Sequence, residues 1–229
     1  MIQNTYIVAT TKYWNVENFT KFTKSLSGNW ILITDKSKLT LETLSQLKPK
    51  YIFFPHWSWI VPKDIYETYD CVCMHMTDLP FGRGGSPLQN LILQGLKNTQ
   101  LTALKMTGVL DGGPIYAKLP LSLEGTAQEI YERAGELCYS HIEYIINQNP
   151  MPVAQNGEVV EFARRLPLQS ELPKSGSIME LYNFIRMLDA DTYPLAFIDH
   201  GTFNLYLDDA VMDDDGSLSA RVKFKIKDL

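Results

Sequence analysis

The residues best suited to chemistry lie in a glycine- and proline-rich segment that runs from His75 to Pro114. His75 ends one apolar run, and Asp111 follows another. An imidazole titrates near neutral pH and can move protons, and a neighbouring carboxylate can hold the ring and favour its protonated form. Either residue alone is also compatible with a structural role, since an Asp-Gly-Gly run is a common turn. Placed together at neighbouring strand ends, they predict a proton-transfer pair.

The elements that must position this pair alternate between strands and helices. Short runs of β-branched and aromatic residues predict buried strands, and segments with helical spacing of apolar residues separate them. The predicted strands cover residues 6–9, 30–34, 51–54, 70–75 and 101–106. This alternation predicts an α/β fold with a mostly parallel sheet and helices on both faces. Ligands bind beyond the carboxyl ends of such strands, which here precede PHWSW, the loop opened by His75, and Thr107–Pro114.

The C-terminal part of the chain has a different pattern. A long amphipathic helix over 127–146 is followed by a polar stretch, with a hairpin expected around Asn156-Gly157. A last helix over 178–188 precedes two strand-like runs, 202–207 and 219–226, which are joined by a turn that ends at Gly216. These segments predict a small C-terminal α+β appendage.

Composition limits the partners that we expect. The 229 residues carry a formal net charge of −5, whereas nucleic-acid binding requires clustered lysine and arginine, so no nucleic-acid partner is expected. No apolar run approaches the roughly 20 residues of a membrane span, and the first residues lack signal-peptide features, so no membrane partner is expected. The three cysteines form no CxxC pair, which predicts no structural metal and a cytoplasmic location.

Beyond these patterns, the central segment resembles a known family. LPFGRGGSPLQ, a following strand that contains a threonine, and LDGGP are similar to the signature of the 10-formyltetrahydrofolate-dependent formyltransferases. That family carries Asn-x-His, then Leu-Pro-x-x-Arg-Gly-x-x-Pro, then Leu-Asp-x-Gly, within a Rossmann-like domain. The matching positions are His75, Leu79, Pro80, Arg83, Gly84, Pro87, Gln89, Thr102, Leu110, Asp111 and Gly113. The resemblance implies a catalytic domain over 1–150 and a C-terminal subdomain over 151–229 that completes the acceptor site.

The resemblance also implies roles for single residues. His75 corresponds to the catalytic histidine and Asp111 to the catalytic aspartate, and no metal is required. Cys73 stands at the family asparagine, and a thiol is a weak hydrogen-bond donor. The donor to the developing negative oxygen is then left open between Asn90, protonated His75 and a backbone N–H. Residues expected to contact the folate co-substrate are Trp57, Trp59, Ile60, Val61, Arg83, Gly84, Leu110 and Asp111, with the two tryptophans flanking the pterin.

The C-terminal run FIRMLDADTYPLAF resembles the appendage of sugar N-formyltransferases. It implies that the acceptor is a nucleotide-linked 4-amino-4,6-dideoxy sugar, for example a UDP-linked precursor of pseudaminic acid. The residues assigned to this acceptor are Met76, Thr77, Arg186, Asp189 and Tyr193. Two alternatives stay open: a peptidyl or aminoacyl amine as acceptor, or a sugar-nucleotide or folate-binding module inactivated at Cys73. A homodimer, if one forms, is expected to use the C-terminal strands.

Overall fold

The structure is a computed structural model that describes residues 3–191 and 193–227. Its strands are β1 (Thr5–Ala9), β2 (Asn29–Ile33), β3 (Tyr51–Phe54), β4 (Cys71–His75), β5 (Phe81–Gly84), β6 (Asn98–Lys105), β7 (Ile115–Ser122), β8 (Val160–Phe162), β9 (Ala196–His200), β10 (Phe203–Met212) and β11 (Leu218–Ile226). Its α-helices are α1 (Tyr13–Phe22), α2 (Leu41–Leu47), α3 (Lys63–Thr68), α4 (Pro87–Leu93), α5 (Ala127–Gln148) and α6 (Ile178–Arg186).

The main sheet has six strands in the order β2-β1-β3-β4-β6-β7. β1 pairs in parallel with β2 and β3, and β3 pairs in parallel with β4. The predicted α/β fold with a mostly parallel sheet is therefore confirmed. β6 is the exception, because it runs antiparallel to β4 and places Thr102 opposite His75 and Lys105 opposite Val72. The last residues of β6 consequently lie beside the first residues of β4.

The central strands are held by apolar side chains on both faces. Ile7, Ile52 and Phe53 have no exposed surface, as expected for strands of a parallel sheet covered by helices. Thr40 begins α2 by accepting the N–H of Thr43 at 3.2 Å, which satisfies one of the free donors at the helix end. This packing fixes the position at which β4 ends, and therefore the position of His75.

The C-terminal strands β9, β10 and β11 form an antiparallel sheet in the order β11-β10-β9. Helix α6 begins with a reciprocal cap, in which Ser177 accepts the N–H of Glu180 at 3.2 Å and donates its own N–H to the Glu180 carboxylate. The predicted α+β appendage is confirmed. The hairpin expected around Asn156-Gly157 was wrong, because β8 pairs with β5 in a separate two-stranded sheet.

The described residues fall into two compact units. The first contains the described residues of Met1–Gly84, Gln100–Leu121 and Glu132–Glu161, and the second contains those of Gly85–Thr99, Ser122–Tyr131 and Phe162–Leu229. Within residues 3–191 and 193–227, no helix combines the length and apolar character needed to cross a bilayer.

Candidate active site

His75 is the last residue of β4 in the first unit and is 7% exposed. Its Nε2 atom lies 2.8 Å from the carbonyl oxygen of Gly82. A carbonyl oxygen only accepts hydrogen bonds, so the ring hydrogen of neutral His75 resides on Nε2. Nδ1 is then the nitrogen that can take up a proton.

Asp111 reaches this ring from the loop that follows β6, and this loop begins at the opposite end of the strands, where β4 starts. The sequence-based expectation that the two residues lie at neighbouring strand ends was wrong, because β6 is antiparallel to β4. Asp111 adopts a left-handed backbone conformation, with φ of 49°, and its Oδ2 atom accepts the N–H of Gly84 at 2.9 Å. The same Oδ2 atom lies 3.6 Å from Nδ1 of His75.

Nδ1 of His75 faces the Asp111 carboxylate within a largely buried pair. The His75 and Asp111 side chains are only 8% and 11% exposed, so water screens their interaction weakly. A protonated ring would donate Nε2–H to the Gly82 carbonyl and face the Asp111 carboxylate with Nδ1–H. Thr77, which is fully buried, also donates to the Gly82 carbonyl at 3.3 Å. Backbone contacts, rather than Asp111 alone, therefore hold the ring.

Cys73 precedes His75 by two residues on β4, so both side chains point to the same face of the strand. Burial raises the pKa of the Cys73 thiol, and the negative charge of Asp111 raises this pKa further. The thiol therefore remains protonated at neutral pH and cannot act as a thiolate nucleophile. Cys73 fills the position of the family asparagine without supplying a strong donor.

Gln155 is a site residue that sequence reasoning missed. Its Nε2 atom donates to the carbonyl oxygens of Asp111 at 2.7 Å and Gly113 at 2.8 Å. Its Oε1 atom accepts from Nε of Arg83 at 3.1 Å and from Nη2 of Arg83 at 2.8 Å. A single glutamine in a polar stretch without periodicity carries no sequence signal for such a role.

The backbone packed against position 113 leaves room only for glycine. A Cβ atom at this position would lie 1.8 Å from the carbonyl oxygen of Lys105. Next to it, Lys105 donates its N–H to the carbonyl of Pro114 at 2.9 Å, which closes the loop that carries Asp111. Only glycine allows this close approach of two backbone segments.

The residues expected to bind folate are arranged only partly as predicted. Trp57 and Trp59 contact each other, with ring centroids 4.9 Å apart and planes at 71°, so they cannot flank a pterin on its two faces. Val61 is buried in the same hydrophobic core cluster as Ile7 and Ile65, and folate contact by it remains a prediction. Ile60 and Leu110, by contrast, are 86% and 65% exposed.

Three residues of this set carry groups with the chemistry that a folate ligand requires. The indole N–H of Trp57 is buried and has no acceptor among the described residues. Leu110 offers an exposed apolar surface directly before Asp111, and Arg83 is held by neutral Gln155 instead of a carboxylate. A folate has a flat pterin ring with acceptor atoms, and its glutamate tail is anionic, so each of these three groups has the chemistry to meet one of its parts.

Met76 and Thr77 were predicted to contact the acceptor, and this remains a prediction, although both residues are buried. Met76 is 3% exposed and its sulfur lies 3.4 Å from Nε2 of His56. Thr77 has no exposed surface, and its carbonyl accepts the hydroxyl of Thr102 at 2.6 Å. Both residues form the packed support behind His75.

His56 belongs to this support in the first unit. Its Nδ1 atom lies 3.3 Å from the indole nitrogen of Trp14 and 3.1 Å from the amide nitrogen of Asn15. Desolvation by burial lowers its pKa to about 4, with the nearby charge of Lys12 as a smaller cause. His56 is therefore neutral near pH 7.

Asn90 lies in the second unit, where its amide is used for structure. Its Nδ2 atom approaches the carbonyls of Gly85 at 3.1 Å, Ser86 at 3.0 Å and Ala163 at 3.2 Å. Both amide hydrogens are therefore engaged at the beginning of α4. Asn90 is a poor candidate for the donor to a negative oxygen.

The three acceptor residues predicted near the C terminus also lie in the second unit. The guanidinium of Arg186 is buried and donates through Nη1 to the carbonyls of Leu123 at 2.7 Å and Gly125 at 2.8 Å. Asp189 accepts the N–H of Asp209 at 2.9 Å, and burial raises its pKa. The Tyr193 hydroxyl lies 3.1 Å from the hydroxyl of Ser86. Each of these side chains has a structural partner, and acceptor binding by them remains a prediction.

Comparison with known proteins adds to this geometry. Residues 167–225 match the family model described as the methionyl-tRNA formyltransferase C-terminal domain. The solved structure of a methionyl-tRNA formyltransferase from Clostridium thermocellum is 45% identical, with a TM-score of 0.95 over 98% of this chain and 100% of that chain. A 4-N formyltransferase from Francisella tularensis shares the fold at 15% identity, with a TM-score of 0.66 over 99% of both chains.

A curated relative, the methionyl-tRNA formyltransferase of Bacillus subtilis (strain 168), is 31% identical over 180 residues. The aligned region covers 73% of this chain and 56% of that protein. This chain thus spans little more than half the length of the curated relatives that it matches.

Proposed function

Because this chain belongs to the formyltransferase family, we propose that it transfers the formyl group of 10-formyltetrahydrofolate to a primary amine. The observation that carries the proposal is the pair formed by His75 and Asp111, with Nδ1 of the ring 3.6 Å from the carboxylate. Formyl transfer to an amine requires removal of a proton from the attacking nitrogen. A nearly buried imidazole beside a carboxylate suits that task.

In the proposed reaction, Nδ1 of His75 accepts the proton of the amine. Nε2 keeps its hydrogen throughout and donates it to the Gly82 carbonyl, so the ring does not need to rotate. Asp111 stabilises the positive charge that the ring acquires, while the N–H of Gly84 keeps the carboxylate in place. His75 then returns this proton to N10 of the folate as the bond between N10 and the formyl carbon breaks, so tetrahydrofolate leaves and the ring is neutral again. His75 is thus the proton acceptor and later the proton donor, and Asp111 is its electrostatic partner.

The negative charge that develops on the formyl oxygen needs a donor. Of the donors considered from the sequence, the Asn90 amide is engaged with carbonyls, and among the backbone N–H groups that of Gly84 is engaged with Asp111. We assign this contact to Nδ1–H of protonated His75, which exists once the ring has taken the amine proton and which lies 3.6 Å from the Asp111 carboxylate, beyond hydrogen-bond distance. The same nitrogen would then receive the proton and stabilise the oxygen. A backbone N–H other than that of Gly84 is the alternative donor.

For the folate, we propose contacts with Leu110, Arg83 and Trp57. The exposed apolar surface of Leu110 suits the flat ring, the cation of Arg83 suits the anionic tail, and the unpartnered N–H of Trp57 suits an acceptor atom. When bound, 10-formyltetrahydrofolate supplies an electrophilic formyl carbon. The chain's own contribution is to orient the amine, exclude water and move the proton at His75.

For the acceptor, the named relatives favour an aminoacyl amine over the aminosugar expected from the sequence. The family model and the two relatives with the highest identities described above are all named for methionyl-tRNA. We therefore propose a methionyl amino group carried by tRNA as the first acceptor. This choice corresponds to the aminoacyl alternative weighed from the sequence.

A nucleotide-linked 4-aminosugar is the second candidate. The net charge of −5 favours it, because binding the many phosphates of a tRNA requires a basic surface. The fold shared with a 4-N formyltransferase over nearly the whole of both chains is compatible with it.

One experiment separates these acceptors. The chain is incubated with 10-formyltetrahydrofolate and either methionyl-tRNA or 4-amino-4,6-dideoxy sugars linked to UDP, dTDP or GDP. Product mass is followed for the gain of one formyl group. Formylation of methionyl-tRNA alone supports the first acceptor, and formylation of one sugar alone replaces it with the second. Folate binding without transfer to any amine would refute the proposed reaction.

A further inference from the structure

We propose that Gln155 is a positioning residue that fixes the Asp111 carboxylate beside His75. This inference rests on the proposed formyl transfer and assigns a role to a residue that follows α5. Gln155 does not contact His75 through any hydrogen bond in the described chain. Its effect on the reaction passes through Asp111.

The first support is the complete use of the Gln155 amide. Its Nε2 atom donates to two carbonyl oxygens, those of Asp111 and Gly113, and its Oε1 atom accepts twice from Arg83. Carbonyl oxygens only accept and a guanidinium only donates, so these partners determine which end of the amide is nitrogen. The side chain has no unused hydrogen-bonding capacity.

The second support is the conformation that these bonds hold. Asp111 has a φ of 49°, a left-handed conformation that a residue with a side chain adopts at a cost of about 1 kcal/mol or more. Gln155 holds the carbonyls on both sides of Gly112, which fixes the peptide planes that orient Asp111. The carboxylate then meets the Gly84 N–H at 2.9 Å and Nδ1 of His75 at 3.6 Å.

The third support is that Gln155 connects both segments that hold the carboxylate. Arg83, which it anchors, directly precedes Gly84, whose N–H binds Oδ2 of Asp111. One amide therefore connects strand β5 to the loop after β6. A displacement of either segment by about 1 Å can cost 100-fold in rate, which gives this connection its importance.

The test is the isosteric change Gln155→Glu, which keeps the shape and the acceptor for Arg83 but removes both donors. We expect kcat for formyl transfer to fall roughly 10- to 100-fold while the KM values of both substrates change less than about threefold. Gln169→Glu is the matched control, since Gln169 uses its Oε1 atom as an acceptor from Leu166 and should retain full kcat. Gln155→Asn, a milder change, replaces the first variant if that variant does not fold.

A double-mutant cycle with Asp111→Ala distinguishes positioning from a general structural role. If Gln155 acts through Asp111, Gln155→Glu has no further effect on kcat in the Asp111→Ala background. Full multiplication of the two losses, an unchanged kcat in Gln155→Glu, or a change confined to KM would each overturn the inference.

A second readout does not depend on activity. Hydrogen exchange of the Gly84 amide, whose acceptor is Oδ2 of Asp111, should accelerate at least about tenfold in Gln155→Glu and in Asp111→Ala. Unchanged protection in Gln155→Glu would refute positioning even if the wild-type chain formylates no amine. Conversely, accelerated exchange without any wild-type transfer would retain the positioning role and reject the proposed function.

Discussion

Nδ1 of His75 lies 3.6 Å from Oδ2 of Asp111, although the two residues follow strands that run in opposite directions. The distance between these two atoms is therefore set by the loop after β6, which starts where β4 begins and runs back to the end of β4. The bonds made by Gly84 and Gln155 hold that loop. The geometry of the pair depends on these contacts as much as on its own side chains.

Replacing His75 should remove proton transfer while leaving the fold intact. We expect His75→Gln to lower kcat about 10²- to 10⁴-fold, because glutamine can satisfy the Gly82 carbonyl but cannot take a proton. Steady-state kinetics with the acceptor that the formylation experiment selects would measure this. His200→Gln, a change of an exposed histidine in β9, serves as control and should retain kcat. Comparable activity in His75→Gln and wild type would exclude His75 as the proton acceptor.

Gly113→Ala should disrupt the loop that carries Asp111. Its Cβ atom would lie 1.8 Å from the Lys105 carbonyl, so the loop must shift and kcat should fall at least about tenfold. Gly108→Ala in the same loop is the control, since its nearest contact is the Tyr66 hydroxyl at 3.6 Å. Kinetics and thermal unfolding of both variants would be compared. Equal behaviour of the two would show that the loop tolerates the displacement.

Stability should fall in mildly acidic solution because His56 is neutral in the folded chain. Its pKa is lowered from 6.5 to about 4, mainly by desolvation, so the unfolded chain binds more protons between these values. The contribution is complete above pH 6.5 and declines as pH falls towards 4, by on the order of 3 kcal/mol. Urea unfolding between pH 7.5 and 4.5 would measure it.

His56→Asn is the matching variant, because asparagine tolerates the left-handed φ of 52° at this position. It should flatten the pH dependence without abolishing it, since burial also lowers the pKa of His141. Identical pH profiles for the variant and the wild type would remove His56 from this explanation.

Arg186→Met should reduce stability more than acceptor binding. The guanidinium donates to the carbonyls of Leu123 and Gly125, and leaving those carbonyls unsatisfied should cost about 2–4 kcal/mol. Arg221→Met, which removes an exposed ion pair with Asp208, should have a much smaller effect. Urea unfolding and the acceptor KM would be measured for both. A raised KM at unchanged stability would support the acceptor role predicted from the sequence.

The cysteine thiols should be unreactive in the folded chain. Burial raises the pKa of Cys71 to about 12 and raises that of Cys73 and Cys138 as well. Alkylation at pH 8 should therefore be at least about 100-fold slower than in urea, where all three thiols react. Rapid labelling of Cys73 in the folded chain would contradict the assignment of a protonated thiol beside Asp111.

The sequence predicted the elements whose side chains are uniformly apolar. The run 51–54 became β3 with the same bounds, and the run 70–75 became β4 within one residue, because burial on both faces produces a continuous apolar signal. β5 was missed, since its residues Phe81–Gly84 lie in a segment whose glycines suggest a loop. Its hydrogen-bonding partner β8 comes from a distant part of the chain, which no local pattern contains.

The site was predictable in its residue types but not in its geometry. His75 and Asp111 could be named from their motif, whereas the antiparallel direction of β6 has no signature in side-chain alternation. Similarly, the spacing of Trp57 and Trp59 does not reveal that their rings meet edge to face. The sequence did not indicate Gln155, because all its hydrogen bonds are made to backbone carbonyls and to one guanidinium from distant parts of the chain.

The glycine at position 113 offers a criterion for sorting related sequences in genomes. A relative can keep both the histidine and the aspartate yet carry a side chain where Gly113 touches the Lys105 carbonyl. In such a protein the loop cannot close as it does here, and the histidine and aspartate are not held at the distance seen in this chain. Inspection of this one position should separate working enzymes from scaffolds that have retained the fold for another use.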